Sequence, residues 1–228
     1  MRYLLAIFLV GSTLLACSQN ASNRVVLGNE KLEEYLPYLE EKRVAVVGNQ
    51  TSVIKADIDD TQTHLVDTLL SLKVDIVKAF APEHGFRGKR ANGAHIVDGI
   101  DPETGLKIIS LHGKHKKPSQ ESLRDVDVIV FDIQDVGVRF YTYLSTLLLV
   151  MESAAENGVK IIVLDRPNPH CHHVKGPMLD PKFKSFVGHA PVPVVHGMTL
   201  GEIAQMANGQ GWLNGGIKAD LEVIKCSG

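Results

Sequence analysis

Apolar residues along this chain fall into short unbroken runs, separated by longer stretches in which they recur every three or four positions. Runs of the first kind lie at 43–49, 75–80, 106–111, 126–132 and 160–165. A strand covered on both faces has no polar side to alternate with, so each run reads as an inner strand of a parallel sheet. Between them, Leu65, Val66, Leu69 and Leu70 form one helical stripe. Phe140, Leu144, Leu147, Leu148 and Met151 form a second, over 140–156, ended by Asn157-Gly158. Shorter helices are expected over 31–42, interrupted by Pro37, and over 119–124. Strand and helix in alternation predict an α/β fold with a Rossmann-like, doubly wound, mostly parallel sheet.

Past Asp165 the texture changes to Pro, Gly and Lys as far as Pro193. Thr199 and Glu202 then stand in the spacing of a capping box and open another helix, and 219–226 reads as a last strand. The expected organisation is a signal at 1–16, a flexible tether at 17–30, the α/β domain at 31–195 and the start of a second subdomain at 196–228.

The first seventeen residues change the picture. Met1-Arg2 precedes an apolar stretch from Tyr3 to Leu15, too short for the roughly 20 residues of a membrane span and suited to a secretory signal. Leu14-Leu15-Ala16-Cys17 is similar to a bacterial lipobox, in which Cys17 is acylated and becomes the first mature residue. That places the protein in the cell envelope on a lipid anchor; the competing reading is a plain signal peptide with an accidental cysteine. Residues 18–23 are small and polar, as a tether requires.

Charge and cysteine content narrow the function classes. Twenty-four basic against 26 acidic residues give a net charge of −2, with no electrostatic footprint for nucleic acid. Lys114-His115-Lys116-Lys117 ends at Pro118 and reads as a solvated loop. Cys171 and Cys226 remain as one possible disulfide pair. His170-Cys171-His172-His173 suggests a metal, yet four adjacent residues cannot all converge on one ion and no second pair lies nearby. Gly48-Asn49-Gln50-Thr51 carries neither G-x-G-x-x-G nor a P-loop, which disfavours a nucleotide-binding protein. No metal and no cofactor is expected.

Three polar clusters follow apolar runs, where an open parallel sheet places its binding residues: PEHGFRG (82–88), DRPNP (165–169) and HGMTLGE (196–202). Together with FDIQDVGVRFYTY (131–143) and GPMLDPKFKSFVG (176–188), they resemble the NamZ-type exo-β-N-acetylmuramidases, a family of peptidoglycan hexosaminidases. The resemblance runs from about Arg43 to the C-terminus. It implies a glycoside hydrolase that releases N-acetylmuramic acid from the non-reducing ends of peptidoglycan fragments in cell-wall turnover. Members of the family are considerably longer, which implies a following subdomain that walls the other side of the cleft. Residues 170–173 depart from the small turn residues typical of the family at that place.

The resemblance carries the family's PEHG element onto Glu83, which would then be the general acid, with His84 orienting it or capping the loop. A glycosidase commonly needs a second carboxylate. Asp132, Asp135 and Asp165 qualify by position at strand ends, each with the alternative of capping the next turn, and the substrate's own 2-acetamido group is a further alternative. Arg87 and Arg139 suit the lactyl carboxylate of N-acetylmuramic acid, unless they form salt bridges with nearby aspartates. Tyr141 and Tyr143 suit stacking on a sugar ring, with a core position for one of them at that helix start as the alternative, Asn168 suits hydrogen bonding to the sugar, and His196 a position facing the cleft. The alternative to an enzyme is a non-catalytic envelope lipoprotein that binds muropeptides or other sugars.

Overall fold

The computed structural model describes residues 24–55, 61–88 and 98–228. The expected signal, the lipidation site at Cys17 and the first half of the tether lie outside the described residues. In chain order the elements are α1 (Leu32–Tyr35), β1 (Val44–Gly48), β2 (Val53–Lys55), β3 (Gln62–His64), α2 (Leu65–Ser71), β4 (Ile76–Ala81), β5 (Gly99–Ile100) and β6 (Lys107–Ser110). Then come α3 (Gln120–Leu123), β7 (Val128–Asp132), α4 (Thr142–Asn157), β8 (Lys160–Leu164), α5 (Leu200–Gln210) and β9 (Leu221–Ile224).

Seven strands form one sheet in the order β5-β6-β4-β1-β7-β8-β9, and every pairing is parallel except β5 with β6. The central β1 is buried at all five positions, as its unbroken apolar run requires. Its residues divide between the faces: Val44 and Val46 pack with Tyr35, Leu65 and Leu69 on one side, Ala45 and Val47 with α4 and α5 on the other. Leu144, Leu147, Leu148 and Met151 of α4 are all essentially inaccessible, each contributing about 1.5–3 kcal/mol by burial. The chain winds from β1 through α2 to β4 and β6. It then crosses back to β7 on the other side of β1, so the direction of winding reverses between β1 and β7. Crevices at such reversals, beyond the carboxyl ends of the strands, are where open α/β sheets bind ligands.

Three expectations need correction. Phe140 is 58 % exposed, because α4 begins only at Thr142 and Tyr143 takes the place in the core instead. Residues 196–228 do not open a second subdomain: β9 pairs with β8 in the same sheet and α5 packs on α4. The tether does not reach residue 30 either. Val26 bridges Ser227, Gly28 and Asn29 are buried, and a Cβ on Gly28 would fall 2.4 Å from the Ile224 carbonyl oxygen, a contact only glycine permits. Cys171 and Cys226 are both free thiols.

Candidate active site

Glu83 and His84 follow β4 directly, in a turn closed by the Gly85 N–H donating to the Pro82 carbonyl at 3.1 Å. His84 takes a left-handed φ of 74°, a costly conformation for a residue with a side chain. It lays the ring near-parallel to Tyr141, centroids 6.2 Å apart, and edge-on to Tyr143 at 6.4 Å. Tyr141 immediately precedes α4, and the next residue, Thr142, donates its hydroxyl to Glu83 Oε2 at 3.0 Å. Burial, then the neighbouring Tyr141, hold the Tyr143 phenol well above its ordinary value, with the Glu83 charge adding to the effect. Tyr143 therefore keeps its proton at neutral pH. Glu83, His84 and Tyr141 are thus brought together at one end of the sheet.

The other carboxylates at this edge separate by their partners. Asp132 is fully buried and takes Arg166 in a fork, Nε on Oδ1 at 2.6 Å and an NH2 nitrogen on Oδ2 at 3.0 Å, while Asn29 Nδ2 donates to Oδ2 at 3.0 Å. Asp165 accepts from Thr199 Oγ1 at 2.7 Å and from the Gly201 N–H at 2.8 Å, the start of α5; burial raises its pKa. Every oxygen of both is thus held by the chain, which ties the two carboxylates into the fold. Asp135 differs. Its Oδ2 accepts from the Gly137 N–H at 2.8 Å, but Oδ1 is buried without a partner, and burial pushes its pKa up to about 6.

Arg87 offers no free fork of the kind a lactyl carboxylate needs, whereas Arg139 is engaged through one terminal nitrogen only. Arg87 donates to Asp67 at 2.7 and 2.9 Å and to Asp101 at 2.7 and 2.9 Å, and the hydrogen bonds it donates to Asp67 are the first cause holding its guanidinium above its ordinary value. The salt-bridge reading holds for Arg87. Arg139 donates to the backbone carbonyls of Pro177 and Val192 and ties down that loop. Asn168 is likewise spent, with Nδ2 donating to the Met198 carbonyl at 2.7 Å and Oδ1 accepting the His170 N–H at 2.7 Å. Gly137 is why it fits: a Cβ there would sit 2.0 Å from Asn168 Oδ1. His196 is 3 % exposed, accepts the Met198 N–H on Nδ1, and is pushed down in pKa by burial. It lines an apolar groove of about 440 Å3 with Met178, Met206 and Trp212, a lining that does not include Glu83.

Two residues that sequence reasoning passed over stand beside Glu83. Thr142 was hidden inside a helix expected to start at Phe140. His112 is the second residue beyond β6, and its Nδ1 lies 4.0 Å from Glu83 Oε2. The rule that drew attention to Glu83, a polar residue just past a strand, also points to His112. Asn49, past β1, is fully buried close to Tyr143. No cluster of three His, Cys, Asp or Glu side chains arranged for a metal occurs among the described residues. A groove of about 620 Å3 beside α3 is lined by Lys78, Lys107, Lys117 and Asp125 and is separate from this cluster.

Residues 44–228 match the family model described as exo-beta-N-acetylmuramidase NamZ, N-terminal. The chain is 43% identical over 196 residues to the peptidoglycan beta-N-acetylmuramidase NamZ of Bacillus subtilis (strain 168), covering 85% of this chain and 45% of that protein. Two crystal structures of DUF1343 family proteins from Bacteroides fragilis NCTC 9343 superpose on it. One has a TM-score of 0.78 at 44% identity, covering 90% of this chain and 52% of its own; the other has 0.79 at 39%, covering 90% and 50%. The chain thus spans about half the length of these relatives. With the same α/β sheet and a match over most of its length, the chain belongs to the NamZ exo-beta-N-acetylmuramidase family, in its N-terminal domain.

Proposed function

We propose that the protein is a glycoside hydrolase acting on N-acetylmuramic acid at the non-reducing ends of peptidoglycan fragments, with Glu83 as general acid. The observation that carries this is the state of Glu83. It stands at the end of β4 with one oxygen held by Thr142, and its other oxygen accepts no hydrogen bond among the described residues. A proton donor needs that arrangement: a fixed carboxyl with one face open to the departing glycosidic oxygen. Tyr141 and His84 form an aromatic wall against which a sugar ring can lie. Asp135 is the second carboxylate this reading favours. One of its oxygens has no partner, and its raised pKa marks a group held out of water, as acid and base groups of active sites are. The relatives' greater length supports a cleft whose other wall comes from outside this domain, so turnover by the 228-residue chain is expected to be weak beside that of the Bacillus relative.

Chromogenic N-acetylmuramic acid glycosides test the reading. Glu83→Gln should lower turnover on the order of 10²-fold or more for poor leaving groups, and much less for leaving groups that depart without protonation. A folded variant with near-normal rates on poor leaving groups would remove Glu83 from the role. Binding without any turnover by the unaltered chain would favour an envelope lipoprotein that only captures muropeptides.

We also propose that Cys17 is acylated and holds the domain at a membrane surface, on the strength of Leu14-Leu15-Ala16-Cys17 behind a short apolar stretch. Intact-mass measurement on the membrane fraction should find the lipid on Cys17; a soluble product cut elsewhere contradicts it.

A further inference from the structure

Two side chains converge on a single oxygen of Glu83. Thr142 Oγ1 donates to Oε2 at 3.0 Å, and His112 Nδ1 stands 4.0 Å from the same atom. Oε1 receives nothing from the described residues. His112 Nδ1 is itself buried and has no hydrogen-bond partner. A ring nitrogen shut off from water without a partner is costly, and the nearest carboxylate oxygen is the natural remedy. The present separation is an ion-pair distance, about 1 Å longer than an N–H···O hydrogen bond. The backbone of His112 is fixed, its N–H donating to Ser110 Oγ at 3.2 Å. Glu83 has more freedom, with a side chain 27% exposed in a short turn, so a small rotation of its carboxyl closes the gap.

We propose that His112 is the positioning residue of the Glu83 acid: it donates Nδ1–H to Oε2, so that Oε1 is the atom that carries and delivers the proton. The inference rests on the reading of Glu83 as proton donor and specifies its atoms. With two donors aimed at Oε2, the acidic hydrogen has its place on Oε1. In the step, the O–H bond at Oε1 breaks as the proton passes to the glycosidic oxygen. The bond between that oxygen and the anomeric carbon breaks with its electron pair leaving on oxygen. The charge that appears on Glu83 is met at Oε2 by the imidazole N–H and the threonine hydroxyl, both already in place.

A consequence separates this role from a purely structural one. A histidine that donates through Nδ1 must, when neutral, carry its proton there, whereas a free neutral imidazole prefers Nε2. Long-range 1H–15N spectra of the 228-residue chain report the tautomer directly, and the His112 signals are identified by their loss in His112→Asn. The expected result is an Nδ1–H tautomer in the unaltered protein that reverts to Nε2–H in Glu83→Ala. An Nε2–H tautomer in the unaltered protein overturns the proposal with no variant needed, and so does an Nδ1–H tautomer that survives Glu83→Ala. Neither readout depends on turnover, so failure here is distinct from failure of Glu83 as the acid, which the leaving-group series decides. In kinetics, His112→Asn places an amide nitrogen where Nδ1 was and should keep most of kcat. His112→Leu should lose about tenfold in kcat on poor leaving groups with KM unchanged. Equal losses in the two variants count against the donor role.

Discussion

The two flanks of β1 end in carboxylates that look alike along the chain and are unlike in the fold. On the β7 and β8 side, both oxygens of Asp132 and both of Asp165 accept hydrogen bonds from Arg166, Asn29, Thr199 and Gly201. On the β4 and β6 side, Glu83 keeps one oxygen open and His112 keeps a buried nitrogen without a partner. Asp135 stands between these extremes, one oxygen bonded and one not. A carboxylate with both oxygens engaged by the chain is tied into the fold, while one with an open oxygen is freer to take a new partner. Where the open oxygen is buried, as at Asp135, leaving it unpaired costs stability in the empty protein.

Breaking the saturated side should have the largest effect. Arg166→Ala leaves the buried Asp132 charge unpaired, and the expected loss is about 3–5 kcal/mol in urea unfolding. A loss under about 1 kcal/mol would mean that the pair does not hold this edge together. Asp135 should move in the opposite direction. Its carboxyl, near pH 6 in the fold against an ordinary 3.8, binds a proton more tightly folded than unfolded. Its ionised form therefore opposes folding above pH 6, and that opposition fades as pH falls from 6 to about 4. Asp135→Asn should stabilise the protein by about 1–3 kcal/mol at pH 7, with the gain vanishing near pH 4. A gain that is flat with pH would show that titration of Asp135 is not its source. The smallest change in stability belongs to Glu83→Gln, expected within about 0.5 kcal/mol of the unaltered protein, since Glu83 supports little of the fold. A large destabilisation there would place Glu83 with Asp132 and erase the contrast.

How much of this was legible from the sequence follows the range of the interactions. The central strands were legible because burial on both faces leaves a continuous apolar run, and 44–48, 76–81, 128–132 and 160–164 fall where the runs do. Capping of α5 by Thr199 and Glu202 was legible because both halves lie within four residues. The hairpin of β2 and β3 was not, since three-residue strands carry too little pattern. Glu83 could be found by its place after a strand, but the same rule selected Asp132 and Asp165. Their partners decide the matter, and Asn29 lies 103 residues from Asp132. Arg87 has aspartates on both sides in sequence, at 20 and 14 residues, and only the fold shows that both reach it. His112 escaped notice because the strand was read to Leu111 and the basic residues beyond it drew the reading toward a loop.

The docking of residues 24–30 bears on the order in which the chain can fold. Gly28 donates to the Asp165 carbonyl at 2.9 Å, Asp165 donates to Ile224 at 2.9 Å, and Val26 exchanges hydrogen bonds with Ser227 at 2.7 and 2.9 Å. Each partner is made late: the seat for the first described segment does not exist until β8 and β9 have been synthesised and paired. Closing so long a loop comes after the nearer pairings of β1 with β4 and β7, because long-range contacts form against the entropy of the chain between them. A segment made before every strand of the sheet is therefore among the last to settle. Until it does, Asp132 waits for Asn29, and the polar edge of the sheet is complete only when the two ends of the domain have met.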